Sequence, residues 1–272
     1  MAFAIDRQHV RDMFASYVAN YDASDSKVSL KIIHTYHVAD LCDAISDSLS
    51  LTNEDRDTAW LCGMLHDIGR FEQLRRYGTF FDKRSVNHAA LSADLLFHDG
   101  LVRRFTEDMS KDALVEKAIR LHNVFQLPEN LTDLELLFCN ILRDADKIDI
   151  IRVNRETPMS EIYDLPEEQF YTTPISDRVY DAAIQGMNVN REYSKTAVDY
   201  MIGHICFVYG LVFPESFRQV MKQGYLDQML QFQSRNPETV ERFSQIRAAV
   251  LSYVNSRLNP TSIGSRFHTG QC

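Results

Sequence analysis

Apolar residues recur at three- and four-residue spacing along most of the chain and rarely alternate, a pattern that predicts helices throughout and an all-α protein. The first helix is expected over Asp6 to Tyr21, ahead of a polar break at Asp22 to Lys27, and the second over about Ser29 to Leu49. Thr52 and Asp55 form an N-cap pattern that opens a third helix running into His66 and Asp67, with the backbone expected to turn at Gly69. Arg70 to Arg84, aromatic and basic with Gly78 as its breaker, reads as a partly helical excursion over one side of a cleft. Ser85 or Asn87 caps a helix over His88 to His98, and another spans about Lys111 to Phe125, stopped by Pro128. Thr132 with Glu135 is a capping box for a long helix to about Asn154.

Beyond that helix, Pro158, Pro166 and Pro174 interrupt a stretch of weak periodicity from Arg155 to Asn190, which is expected to be irregular, as a lid or a substrate-specific insertion. Further helices are expected over Tyr193 to Phe213, Glu215 to Gln233 and Glu238 to Leu258, the last with Asn236 as cap and Pro237 at its first position. The tail from Asn259 to Cys272 is expected to fray. There is no internal repeat, and residues 1–272 read as one domain: a core over about 28–154, the irregular insertion over about 155–190, and C-terminal helices over about 191–258.

Helical phase also sorts the polar residues. His34 shares a face with Val38, Leu41 and Ile45; His122 follows Val115, Ala118 and Ile119; His88 leads Leu91 and Leu95. His37 lies roughly 90° off its stripe, at ~100° per residue. Around Phe138, Ile141, Leu142 and Ala145, Asp146 and Asp149 fall near or within the apolar stripe, and Asp144 points away. With His66, four histidines and one or two aspartates therefore face inward. Burying such groups without strong partners costs on the order of a few kcal/mol each, more in sum than a stability of ~5–15 kcal/mol allows. A shared metal removes the difficulty, and imidazole with carboxylate suits Mn, Fe, Co or Zn better than Ca.

Composition narrows this further. The 45% hydrophobic and 25% charged residues are ordinary for a globular protein, and glycine and proline are sparse, ten and seven. A net charge of -9 argues against non-specific nucleic-acid binding or attraction to an anionic membrane. Met1 to Phe14 lacks an apolar signal core, and the longest apolar run, Ile205 to Phe213, is too short to span a bilayer. Five scattered cysteines without a Cys-x-x-Cys pair read as reduced thiols, so a cytoplasmic location is expected.

Three motifs in order carry a resemblance: His34-Thr-Tyr-His-Val-Ala, His66-Asp67-Ile-Gly and Asp144-Ala-Asp146-Lys147-Ile-Asp149. Over Lys31 to about Arg152 the chain resembles the HD superfamily of metal-dependent phosphohydrolases. The resemblance implies an HD-domain helical bundle with primary ligands His34, His66, Asp67 and Asp146. His88 and His122 resemble the extra histidines of binuclear members, with Asp67 bridging. The implied cofactor is one or two divalent ions, Mn, Fe, Co or Zn, with Mg as a further option. Arg70 in place of lysine, Asn123 in place of a second histidine and the lack of a Gly-Tyr-Pro element set the chain apart from the cyclic-dinucleotide phosphodiesterase branch.

The reaction so implied is cleavage of a phosphomonoester or phosphodiester, a nucleotide among the candidates, by a metal-activated hydroxide. Arg70, Arg75, Arg76, Lys83 and Lys147 are the expected substrate-binding residues, Arg70 and Lys147 foremost, with Arg84 a further basic residue near the motifs; Asp67, Arg70, Glu72 and Lys147 are the expected catalytic residues. Glu72 is a candidate general acid or, equally, an ion-pair partner of Arg75 or Arg76. The same six ligands are similar to those of HD-fold mixed-valence di-iron oxygenases, although Gln126 and Arg70 stand where those enzymes tend to carry a substrate lysine. A third reading is a non-catalytic nucleotide-binding sensor. Oligomeric state has no signature in the sequence.

Overall fold

The computed structural model describes residues 5–259, and every regular element among them is helical. The predicted tail, 260–272 with Cys272, lies outside the described residues, as do residues 1–4. Contacts divide the described residues into two compact units, 5–158 with 211–219, and 159–210 with 220–259.

The first unit contains α1 (Arg7–Val18), α2 (Ser26–Ser48), α3 (Asn53–Leu65), α4 (Ile68–Tyr77), α5 (His88–Ala93), α6 (Asp112–Leu121) and α7 (Asp133–Glu156). α2 packs most extensively on α3 and α7, burying Val38, Ala39, Cys42 and Ile45. A Cβ on Gly63 would sit 2.6 Å from Ala39 Cα, so α3 meets α2 backbone to backbone. Val10, Phe14 and Val18 recur every fourth residue and seat α1, with Phe14 edge-on to Tyr36 and Phe71. Trp60 is fully buried under the guanidiniums of Arg7 and Arg11; burial of such a side chain stabilises by roughly 1.5–3 kcal/mol. α7 starts at the expected Thr132–Glu135 capping box.

Several boundaries differ from the sequence pattern. The break between α3 and α4 falls at Asp67, and Gly69 lies inside α4. Its missing Cβ serves packing instead, because a Cβ there would meet Ser92 N at 2.6 Å and so keep α5 away. The buried residues of α5 and the π-helical turn 94–98 after it include Ser92 and Leu96, at i+4 and i+8 from His88, while Leu91 and Leu95 are only half-buried. Asp144 does point away from the predicted stripe, yet it is fully buried: Oδ2 accepts from Val212 N (2.8 Å), Phe213 N (3.1 Å) and Ser216 Oγ (2.6 Å).

The second unit contains α8 (Met159–Tyr163), α9 (Glu167–Thr172), α10 (Asp177–Ile184), α11 (Ala197–Ile205), α13 (Tyr225–Met229) and α14 (Pro237–Leu258); α12 (Pro214–Gln223) begins in the first unit and ends in the second. The stretch expected to be irregular holds three short helices, each preceded within three residues by one of its prolines. Helices of five to eight residues are too short to display a periodicity. The helix expected over Glu215 to Gln233 is interrupted at Gly224, whose φ of +70° lies in the left-handed region that favours glycine. The one expected over Tyr193 to Phe213 is regular only as α11, whose start is fixed by buried Asp199 accepting from Thr196 N and Ser176 N. α10 packs along α14, which is capped by Asn236 as expected.

No helix among the described residues is long and apolar enough to cross a membrane. Cys42, Cys62, Cys139 and Cys206 are buried and form no disulfide.

Candidate metal centre

Six side chains from five places in the first unit converge. α2 supplies His34, the α3–α4 junction His66 and Asp67, α5 His88, the end of α6 His122, and α7 Asp146. The two oxygens of Asp67 face different pairs of rings. Oδ2 lies 3.6 Å from His34 Nε2 and 3.5 Å from His66 Nε2. Oδ1 lies 3.5 Å from His88 Nε2 and 3.8 Å from His122 Nε2. Asp146 Oδ1 joins the first pair, 3.2 Å from His34 Nε2 and 3.8 Å from His66 Nε2. Two groups of ligand atoms close enough to hold an ion result, His34–His66–Asp67 and Asp67–His88–His122.

Each ring is oriented from behind. His66 Nδ1 donates to Gly63 O (2.8 Å) and His122 Nδ1 to Ile119 O (2.7 Å); a carbonyl only accepts, so Nδ1 carries the proton. His34 Nδ1 donates to Asp149 Oδ2 (2.6 Å) and His88 Nδ1 to Asp82 Oδ2 (2.7 Å). In the neutral rings every Nε2 lone pair is therefore turned inward, with His34 and His66 Nε2 3.3 Å apart and His88 and His122 Nε2 3.0 Å apart. Two lone pairs at that distance repel unless a cation lies beside both. Asp67 Oδ1, buried, is a further acceptor without a hydrogen bond among the described residues. Ligand atoms each ~2.1 Å from one ion lie roughly 3–3.5 Å apart, so the donor set fits a metal.

Electrostatics separate the rings. Burial lowers the pKa of His66 to about 4, against the opposing pull of Asp67. His88 is lowered to about 3, first by burial and then by the Arg70 charge. Burial also lowers His122. In His34, burial and Lys31 push down but Asp146 and Asp149 outweigh them, and the pKa is raised. Burial would raise Asp67, yet Lys31, His66, Arg70 and His88 hold it well below the usual carboxylate range.

The predicted basic residues divide. Arg70 is at the centre: Nε stands 3.6 Å from Asp67 Oδ1, and Nη1 is fixed by Phe80 O (2.6 Å), Gln73 Oε1 (2.9 Å) and Asp82 Oδ1 (3.1 Å). Lys147 follows Asp146 on α7, and burial, then Arg143, lowers its pKa to about 8. Glu72, Arg75 and Arg76 belong to another face of α4, where the buried Glu72 carboxylate pairs with both arginines and lies 3.3 Å from Tyr21 OH. Arg70 and Glu72 are about 200° apart around the helix, a phase the sequence already contains. Lys83 and Arg84 are exposed on the 3-10 turn 82–84, with Arg84 over the Phe81 ring.

Two residues at the centre go beyond the sequence expectation. Lys31 Nζ is 2.6 Å from Asp67 Oδ2, and its position one turn before His34 was a usable signal. Asp82 sits in a loop without periodicity, where nothing marked it. His37 is half-exposed but contacts Asp149 Oδ1 at 3.1 Å.

Residues 32–151, which include all six converging side chains, match the family model described as HD domain. None of the curated proteins and none of the solved structures matched the chain.

Proposed function

Residues 32–151 belong to the HD domain family, and on that premise we propose that the protein is a metal-dependent phosphohydrolase that cleaves a phosphomonoester or phosphodiester, with nucleotides among the candidate substrates. HD domains are mostly metal-dependent hydrolases. The observation that supports the reading best is the split of Asp67, one oxygen toward each histidine pair. When bound, one or two divalent cations supply Lewis acidity, lowering the pKa of water and neutralising phosphoryl charge.

In this reading His34, His66, Asp67 and Asp146 hold one ion, and Asp67, His88 and His122 a second. Asp149 and Asp82 keep His34 and His88 in the tautomer that offers Nε2, a role that raises ligand basicity. Arg70, Lys31 and Lys147 hold the substrate phosphate and balance its charge. Lys147, with a pKa near 8, remains largely cationic at neutral pH. Glu72 is left out of the chemistry: burial would raise its pKa, but Arg75 and Arg76 lower it, so it has no proton to give at neutral pH.

The test loads the chelated protein with Mn, Co, Fe or Zn and measures phosphate release across nucleotides, phosphomonoesters and phosphodiesters. Release by the metal-loaded protein, absent in His66→Ala, is expected. Silence across that panel with bound metal, or oxygen uptake by an iron-loaded form without phosphate release, would replace the hydrolase by an oxygenase or a sensor.

A further inference from the structure

The Glu72 side of α4 borders a cavity of about 510 Å³, within the size range of small-molecule sites. None of the six residues at the metal centre lines it. Its walls come from α1 and the turn after it, from α4, and from 95–104. Three guanidiniums surround it, Arg75, Arg76 and Arg104, against the two carboxylates Glu72 and Asp99. This local positive excess stands on a chain of net charge -9.

The carboxylates do not use up the cations. Glu72 is buried and engages Arg76 through Nε and Arg75 through Nη2. The terminal Nη atoms of Arg76 make no hydrogen bond among the described residues, and the Arg104 guanidinium makes one long bond, Nη2 to Ser16 Oγ at 3.3 Å. Asp99 is already held by His98 Nδ1 at 2.9 Å. Glu72 thus acts as an anchor that orders two guanidiniums while leaving donors on both. Arg fixed in this way loses little rotamer freedom on meeting an oxyanion, and its planar fork matches phosphate. Leu95 and Leu101 add apolar surface beside the Tyr17 and Tyr21 rings, suited to the organic part of a ligand.

We propose that this cavity is a second binding site, for a small phosphate-bearing organic anion, distinct from the metal centre. The inference goes beyond the hydrolase reading and does not depend on it. The cavity also touches the backbone beside the metal centre: Tyr21 OH donates to Tyr17 OH (2.9 Å), and Tyr17 OH donates to the carbonyl of Ile68 (3.3 Å), the residue after Asp67.

The experiment titrates the full chain, stripped of metal by chelation, with inorganic phosphate and with adenosine monophosphate, by calorimetry. Saturable binding is expected, tighter for the nucleotide. Loss of a charge-assisted contact predicts that Arg76→Gln with Arg104→Gln weakens binding by about tenfold or more, whereas His66→Ala leaves it unchanged. Arg104→Gln alone, at an exposed residue, gives the same direction should the double variant unfold. Binding by inorganic phosphate alone would replace the organic ligand by a free anion. Absence of saturable binding by either probe, or binding that survives the arginine changes and falls with His66→Ala, overturns the site.

Discussion

His34 and His66 face two carboxylates, Asp146 and Oδ2 of Asp67, the latter paired with Lys31 Nζ at 2.6 Å, whereas His88 and His122 face one, Oδ1 of Asp67, with Arg70 Nε 3.6 Å from it. The outer supports differ as well. Asp149, which orients His34, is fully buried and fixed by Arg152 Nε at 2.7 Å, while Asp82, which orients His88, is part-exposed in a loop. Four similar rings are thus set in two electrostatic settings, one that favours a dication and one that carries less negative charge to offset it. On this ground the first pair is expected to hold a metal ion more tightly than the second, and the pKa of His34 rises where that of His88 falls.

The change that abolishes the comparison altogether is Asp67→Ala. With both oxygens gone, metal analysis should find neither ion retained, and phosphate release should drop on the order of a thousandfold, the loss seen when a main electrostatic group is removed. Retention of both metals would mean that Asp67 does not bridge. His34→Ala and His88→Ala should then act unequally. His88→Ala removes about one equivalent in a metal titration and leaves the tighter site intact, while His34→Ala removes the tighter equivalent. Equal loss from both variants would erase the distinction between the pairs.

A smaller effect separates the outer supports. Asp149→Asn and Asp82→Asn each keep a hydrogen-bonding group behind the ring but lose its charge, and such changes typically weaken metal affinity by about 10–100-fold. Asp149→Asn should weaken the tight site and Asp82→Asn only the weak one, read by competition with a metal-chelating dye. The two curves exchange places if the assignment of outer to inner residues is wrong.

Much of this centre was legible because its candidate ligands lie on helices or at their ends. His34 and His122 fall on apolar stripes, Asp146 at the edge of one, and the capping box at Thr132 sets the phase of α7. Asp82 was not legible, since it acts from a loop that approaches His88 only after folding. Asp144 was placed off the stripe as expected, but its burial was not legible, for a related reason. A hydrophobic stripe locates one packed face, but α7 is also covered from the side of 211–219, and the partners there are backbone N–H groups that leave no mark in the pattern. Arg75 and Arg76 were grouped with Arg70 by nearness in sequence, which the 3.6-residue turn overrides. The breaks at Gly224 and around α11 follow from backbone conformation and a buried carboxylate cap, both of which interrupt otherwise continuous apolar spacing.

The last difference is in the acid response of the metal-free protein. His88 takes up a proton at about 3 when folded but near its ordinary 6.5 when unfolded, so between those values the unfolded chain binds more protons and stability falls as pH falls. His34 behaves oppositely: its folded pKa is raised, so its contribution is fully present below 6.5 and is lost as pH rises through the folded value. The depressed carboxylates, Asp82 and Asp149 among them, begin to lose their contribution only as pH drops toward their ordinary range near 3.8, leaving pH 7 to 5 as the window for the rings. Urea unfolding of chelated protein at those two pH values should show His88→Gln losing less stability on acidification than the unmodified chain, and His34→Gln losing more. At about 1.4 kcal/mol per pKa unit, the divergence should be visible in the urea midpoint. Parallel behaviour of the two variants would mean that the rings share one electrostatic setting and that the asymmetry of the two carboxylate sets does not govern them.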